Sequence, residues 1–293
     1  MKTAWVFPGQ GSQAIGMGTD LLDVPAAKAK FEQAEQILGW SIPEICQHPE
    51  DKVSRTVYTQ PCLYVIESAL ADLTTARIGL PDFAAGHSLG EYVALYVAGV
   101  FDFETGLNLV KRRAELMDQA SDGVMAVLLG FNREQLEQQL QQTPGVVLAN
   151  DNNAGQVVVS GTPAAVETLM SNVKAKRTMK INVSGAFHSP LMADAAAEFQ
   201  TILDRVTFNQ ACFPVLSNVE PAPTTDASAL KSRLSQQMTG SVRWREISLR
   251  LPEEGVDRVV EIGPGKVLTG IIKRTCPTLV LENISSVAEL PQQ

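Results

Sequence analysis

Gly86-His87-Ser88-Leu89-Gly90-Glu91 is the stretch of the chain whose residue types and spacing most clearly suggest chemistry. The short apolar run Phe83-Ala84-Ala85 leads into it, and an almost uninterrupted apolar segment, Tyr92 to Val100, follows. This is the strand–turn–helix setting of a nucleophile elbow, where two glycines leave room for a sharp turn and the serine hydroxyl stands at its tip. The residue after the serine opens the next helix, so the Leu89 N–H lacks an intrahelical partner and can help bind an oxyanion. Gly-x-Ser-x-Gly is a weak signal alone, and its flanks give it weight.

A serine nucleophile needs a base, and the chain has three histidines. His87 adjoins Ser88 in the turn, so its ring should leave in another direction. His48 lies in the polar loop from Cys46 to Asp51. His188, in Gly185-Ala186-Phe187-His188-Ser189-Pro190, follows an expected strand at a seam between two parts of the chain, and pockets form at seams. Elimination selects His188. An ordinary α/β-hydrolase runs serine, acid, then a late histidine. Here no histidine follows position 188 and no acid closely precedes it, so something other than a late carboxylate must orient the base, a backbone carbonyl being one candidate.

A third residue stands out by position. Glu104 to Ala120 has helical periodicity, and Arg113 has Leu109, Val110, Leu116 and Met117 as its i±3 and i±4 neighbours. It should point inward, whereas Arg112 beside it should face water. A buried guanidinium needs a carboxylate, either in an internal ion pair or brought by a substrate.

The elements that must position these groups alternate between strand and helix. Thr3 to Phe7 reads as a buried strand stopped by the loop Pro8 to Gln13; no Lys-Ser/Thr follows, which disfavours a P-loop. Helices are expected over Ala26–Leu38 and Pro61–Leu73. From Gly123 the pattern becomes strand (124–129), helix (132–142), strands (146–149 and 156–160) around an asparagine-rich loop, helix (163–175) and strand (178–183). That βαββαβ order is a ferredoxin-like unit. Helices over 191–206, 227–238 and 244–251 and strands over 214–218 and 258–262 follow. The expected fold class is α/β, with a mainly parallel sheet in residues 1–122 and 188–293 interrupted by the small unit at 123–187.

Composition narrows the function classes. The 293 residues are 45% hydrophobic with a formal net charge of −8, against a general nucleic-acid surface. Four scattered cysteines form no CxxC pair and have no nearby histidine, so neither a zinc site nor a disulfide frame is expected. No apolar run reaches 18 residues and no signal-peptide stretch opens the chain; a cytoplasmic protein is expected. Lys174, Lys176, Arg177 and Lys180 form a local basic cluster, either a solvated helix end or a docking patch for an acidic partner.

Taken together, these segments resemble the malonyl-CoA:acyl carrier protein transacylase family nearly end to end. The resemblance rests on Phe7-Pro8-Gly9-Gln10-Gly11-Ser12-Gln13, on the elbow, on Arg113, on Asn150 to Gly161, on Gly185 to Pro190 and on Glu261-Ile262-Gly263-Pro264-Gly265-Lys266-Val267-Leu268. It implies a hydrolase-like large domain with a ferredoxin-like insert, and transfer of malonyl from malonyl-CoA to the phosphopantetheine thiol of an acyl carrier protein. It implies Ser88 as nucleophile, His188 as base, the Gln10 and Leu89 amides as oxyanion hole, and Arg113 as partner of the malonyl carboxylate. The main-chain carbonyl of Gln237 would orient the histidine, and Gln60, Asn150, Asn152 and Phe187 would line the acyl pocket. At the position of Phe187, malonyl-preferring members carry a bulky aromatic and methylmalonyl-preferring relatives a small polar residue. No metal or cofactor is implied, the partners are CoA and the carrier protein without membrane or nucleic acid, and a monomer is expected. A serine thioesterase or hydrolase, or a non-catalytic carrier-binding module, are the rival functions.

Overall fold

Trp5 and Phe7 face one way along the first strand and Ala4 and Val6 the other, yet all four are fully buried, because helices cover both faces of the sheet. The computed structural model describes residues 1–120 and 122–292; Ser121 and Gln293, both inside the ranges assigned to the large domain, lie outside the described residues. The first part of the chain forms β1 (Lys2–Phe7), α1 (Pro25–Leu38), α2 (Ile42–Cys46), α3 (Thr56–Ile78), β2 (Phe83–Gly86), α4 (Gly90–Val97) and α5 (Phe103–Gln119). Next come β3 (Val124–Phe131), α6 (Arg133–Gln142), β4 (Val146–Asn153), β5 (Gln156–Gly161), α7 (Pro163–Asn172) and β6 (Ala175–Ile181). The last part is α8 (Ala193–Leu203), β7 (Val215–Leu216), α9 (Ala227–Gln236), α10 (Trp244–Glu253), β8 (Val256–Ile262), α11 (Val267–Thr275) and β9 (Val280–Ile284).

Strands from both ends of the chain build one parallel sheet in the order β7-β2-β1-β8-β9. Its Trp5/Phe7 face packs under α1, α3, α4 and α5, and its Ala4/Val6 face under α10 and α11. Parallel neighbours align their carboxyl ends, so the segments after β1, β2, β7 and β8 converge on one edge. Sites form there in open parallel sheets.

The middle of the chain makes a separate antiparallel sheet, β4-β5-β3-β6. One face carries Ala126, Leu128, Val157 and Val159 against α6 and α7, closing its own small core. The opposite face carries Met125, Ala149 and Val158 into the main core. A main-chain link fastens the seam: Asp151 N donates to Val242 O (3.0 Å) and Val242 N to Ala149 O (2.8 Å).

Several boundaries differ from the sequence expectation. The helix expected from Pro61 begins at Thr56 and holds the proline inside. That costs one hydrogen bond early in a helix buried all round from Thr59 to Ala71, where packing outweighs the loss. The asparagine-rich segment is not a loop: β4 runs through Asn150 to Asn153, paired to β5 across two irregularities. Val173-Lys174 ends α7 early, so Lys176, Arg177 and Lys180 sit on β6, an exposed edge strand and not a helix end. The short strand β9 was not expected, since Val280–Ile284 shows no clean alternation.

Candidate active site

The turn at Ser88 is as tight as its glycines suggest. A Cβ on Gly86 would lie 1.8 Å from the Gly90 carbonyl carbon, and one on Gly90 would lie 2.0 Å from Phe7 O. The elbow thus packs backbone to backbone against the end of β1. Ser88 takes φ 52°, in the left-handed region that a side chain rarely adopts, and His188 takes φ 56°. Both strained residues meet in one place, the usual company of backbone strain and function.

Ser88 Oγ lies 2.8 Å from His188 Nε2. On the other side of the ring, Nδ1 lies 2.9 Å from Gln237 O and 3.2 Å from Gly240 O. Two carbonyls can only accept, so Nδ1 carries the proton, Nε2 is left with its lone pair, and the serine hydroxyl donates to it. Gln237 is the C-cap residue of α9, and its carbonyl is turned out of the helix toward the imidazole. The orienting group is therefore a backbone carbonyl, that of Gln237 as the resemblance implies, with Gly240 as an unforeseen second acceptor. Burial, with the positive charge of Arg113 next, brings the His188 pKa down to about 3. It is a neutral base near pH 7.

Arg113 is 1% exposed, under the ring of Tyr92. It donates to three neutral oxygens: Gln60 Oε1 (2.7 Å), Ser88 Oγ (2.9 Å) and Gln237 Oε1 (3.0 Å). Among the described residues no carboxylate pairs directly with it, and its Nε has no partner. The internal ion pair considered above is thus absent. Gln60 is held by Met117 Sδ on its amide side, which turns its oxygen to the arginine.

The remaining expected residues divide. Gln10, Gln60, Leu89, Asn150, Phe187 and His188 line a cavity of about 80 Å³ over Ser88 and Arg113, closed by Met117, Met125, Val158 and Ile181. The main-chain N–H groups of Gln10 and Leu89 donate no hydrogen bond among the described residues, so both are available to an oxyanion, while the Gln10 side chain donates to Thr56 Oγ1 (3.0 Å). Asn150 Oδ1 is buried there without a partner. Asn152 corrects an expectation: it is not in the cavity wall, and its Oδ1 accepts from His87 Nε2 (2.9 Å), holding that ring against Trp244 and away from Ser88. The strand pleat sends alternate residues to one face, which puts Asn150 and Asn152 on one side of a regular strand, but the irregularity between Asp151 and Asn153 breaks that alternation at Asn152. Lys174, Lys176, Arg177 and Lys180 lie outside the cavity, and Lys180 is paired with Glu167 at 2.7 Å. A roomier surface groove, about 420 Å³ and lined by Arg243, Glu246, Arg250 and Glu253, contains no nucleophile.

Two residues were missed. Asn218 braces the elbow from both sides, its Nδ2 donating to Gly86 O (2.6 Å) and its Oδ1 accepting from Ser88 N (2.7 Å). Glu91, buried, accepts from Gln237 Nε2 at 2.7 Å and from Asn218 N at 3.2 Å. The available signals were a polar residue directly after the buried strand at 214–218 and an acid inside the elbow motif.

Known proteins resemble this chain over nearly its whole length. A model described as "Acyl transferase domain" matches residues 4–292. A malonyl CoA-acyl carrier protein transacylase of Synechocystis is 58% identical over 99% of both chains. A polyketide biosynthesis malonyl CoA-acyl carrier protein transacylase of Bacillus subtilis is 43% identical over 92% of this chain and 96% of its own. The crystal structure of the Synechocystis transacylase superposes with a TM-score of 0.97 over 99% of both chains. A malonyl-transacylase in complex with a type II polyketide acyl-carrier protein superposes at 0.93, with 36% identity, over 99% of this chain and 98% of its own. An elbow serine, a carbonyl-held histidine and a buried arginine without an acid, in a chain so similar throughout, lead to one assignment: the chain belongs to the malonyl-CoA:acyl carrier protein transacylase family of acyl transferase domains.

Proposed function

We propose that this protein transfers malonyl from malonyl-CoA to the phosphopantetheine thiol of an acyl carrier protein through a malonyl-Ser88 intermediate. The observation that carries the reading is Arg113: a buried cation 2.9 Å from the nucleophile, whose direct partners are all neutral oxygens. A carboxylate on the acyl group can displace them and form a charge-assisted bidentate pair, which a neutral acyl chain cannot.

His188 Nε2 takes the Ser88 proton as Oγ attacks the thioester carbon. The tetrahedral oxyanion rests on the Gln10 and Leu89 amides, and collapse expels the CoA thiolate, which takes the proton from His188. The carrier thiol then gives its proton to His188, attacks the acyl-serine, and leaves with the malonyl group as Ser88 is reprotonated. Side chains and amides supply every role, so the reaction needs no metal or redox cofactor. Gln60 and Asn150 would set the depth of the acyl pocket. Within this reading, residues 1–122 and 188–293 form a hydrolase-like catalytic domain and 123–187 a ferredoxin-like insert, in a cytoplasmic monomer that meets its carrier through the basic β6 edge.

Incubation with malonyl-CoA, followed by intact and peptide mass spectrometry, should find malonyl on Ser88; adding carrier protein should discharge it to the carrier. Ser88→Ala should abolish both. Discharge to water at the same rate with or without carrier would make the protein a thioesterase instead.

A further inference from the structure

Arg113 poses an electrostatic question that the transfer reaction leaves open. Stripping a guanidinium of solvent is costly without a counter-charge, yet among the described residues Arg113 bonds only neutral oxygens. Its pKa is pulled down by burial, and Tyr92 and Glu91 act against that pull. Glu91 is the acid whose hydrogen bonds lead to it. It is 1% exposed, and its Oε2 accepts from Gln237 Nε2 at 2.7 Å. The other end of that carboxamide, Gln237 Oε1, accepts from Arg113 Nη2 at 3.0 Å. One amide thus presents its oxygen to the cation and its N–H to the Glu91 carboxyl, whose pKa burial raises while the Gln237 and Asn218 hydrogen bonds and the Arg113 charge pull it back, and both bonds are polarised in the same sense. The Gln237 N–H also reaches Ser88 O (2.9 Å), and the Asn218 N–H that bonds Glu91 belongs to the residue bracing the elbow.

We infer that Glu91 is the counterion of Arg113, acting one amide away through the Gln237 side chain, so that the guanidinium is balanced while its fork stays open to a substrate carboxylate. A direct Glu–Arg pair would occupy the donors that the acyl group must use. Relaying the charge through a neutral amide separates the two tasks: Glu91 offsets the cost of burying the Arg113 charge, and Gln60, Ser88 and Gln237 hold the fork with oxygens a carboxylate can displace. Glu91 is on this account a positioning residue that never meets substrate. It also has a cost, since its negative charge opposes the incoming malonate. The inference rests on the malonyl reading of Arg113.

The test is a cycle of Glu91→Gln and Arg113→Ala, read by melting temperature and by KM for malonyl-CoA and acetyl-CoA. A glutamine keeps an oxygen for the Gln237 and Asn218 N–H groups but removes the charge. Glu91→Gln should lower the melting temperature of the parent but not of the Arg113→Ala protein, where no cation remains to balance. It should also lower KM for malonyl-CoA, by about tenfold if one buried like charge is removed, and leave KM for acetyl-CoA unchanged. If Glu91→Gln fails to fold alone yet folds with Arg113→Ala, the coupling stands; failure in both backgrounds overturns it. Additive melting shifts, or an unchanged malonyl KM, also overturn it. The underlying reading is judged separately: if Arg113→Ala keeps the parental malonyl-to-acetyl preference, the carboxylate-clamp role falls whatever the thermal cycle gives.

Discussion

At the scale of single residues, the selectivity proposed above would be built from one charge and one wall. Arg113 supplies the charge, and a lysine there should recover little, because an ammonium offers a point charge in place of a planar fork. Arg113→Lys should therefore leave malonyl kcat/KM well below the parent in a transfer assay. Phe187 supplies the wall: it is 5% exposed, precedes the base and lines the cavity with Met125 and Val158. Phe187→Ser should open space beside the α-carbon of the acyl group and admit methylmalonyl-CoA. One methyl is worth about 1–3 kcal/mol in such a pocket, so competition between the two thioesters should shift by roughly ten- to a few hundredfold. An unshifted ratio would assign Phe187 to packing alone.

At the scale of elements, the termini matter more than the middles. The end of α9 offers carbonyls to His188, and the turn that follows holds them in place. Gly240 sits in that turn with no room for a side chain: a Cβ would lie 2.6 Å from Val219 Cγ1 and 2.8 Å from Gln236 O. Gly240→Ala should tilt the imidazole and lower kcat by up to about 100-fold while leaving KM for malonyl-CoA near the parental value. A parental kcat would mean that Gly240 only closes the helix. The edge strand β6 carries Lys176, Arg177 and Lys180 outside, while Ile181 at its end lines the cavity. Edge lysines discourage strand pairing in any sheet, yet a basic edge leading to the nucleophile also suits an acidic carrier. Reversing Lys176 and Arg177 to glutamate should raise KM for the carrier several-fold at low salt and much less at high salt. Acylation by a malonyl thioester of a short, uncharged thiol should be unaffected. A carrier KM indifferent to both changes would leave those charges to edge protection.

At the scale of the molecule, the same edge that assembles the site stores a stability cost. Glu67 of α3 is fully buried beneath the Pro8 and Gly263 loops, with both carboxyl oxygens unpartnered. Burial first, then the neighbouring Glu261, raises its pKa well above the usual carboxylate range. Glu261 has taken the favourable position, accepting the Leu268 and Thr269 amides that open α11. A group whose folded pKa is raised contributes stability below its unfolded pKa and loses it as pH rises toward the folded value. That loss is about 1.4 kcal/mol per pH unit while only the unfolded chain has ionised. Glu67→Gln should leave the melting temperature nearly unchanged near pH 4 and raise it progressively toward pH 8. Parallel melting curves across that range would mean that Glu67 is ionised and partnered in solution.

Sequence alone determined whatever depends on neighbours along the chain. The elbow was legible because Gly-x-Ser-x-Gly between a strand and a helix constrains its own backbone, and the inward face of Arg113 because helical periodicity fixes which residues surround it. The βαββαβ order of the middle segment followed from local periodicity in the same way, and the few histidines left little choice of base. Tertiary structure decided what depends on residues far apart. Asn218 reaches Gly86 and Ser88, and Glu91 reaches Gln237, across many residues of chain because parallel strands from both ends of the sequence bring their carboxyl edges together, whereas Asn152 reaches His87 because the antiparallel sheet is fastened beside them along Val242. Whether Arg113 had an internal acid was also undecidable from spacing, since a partner one amide away leaves no trace in periodicity. Local geometry is encoded by adjacent residues, whereas the sharing of a charge among Arg113, Gln237 and Glu91 exists only once the strands have closed around them.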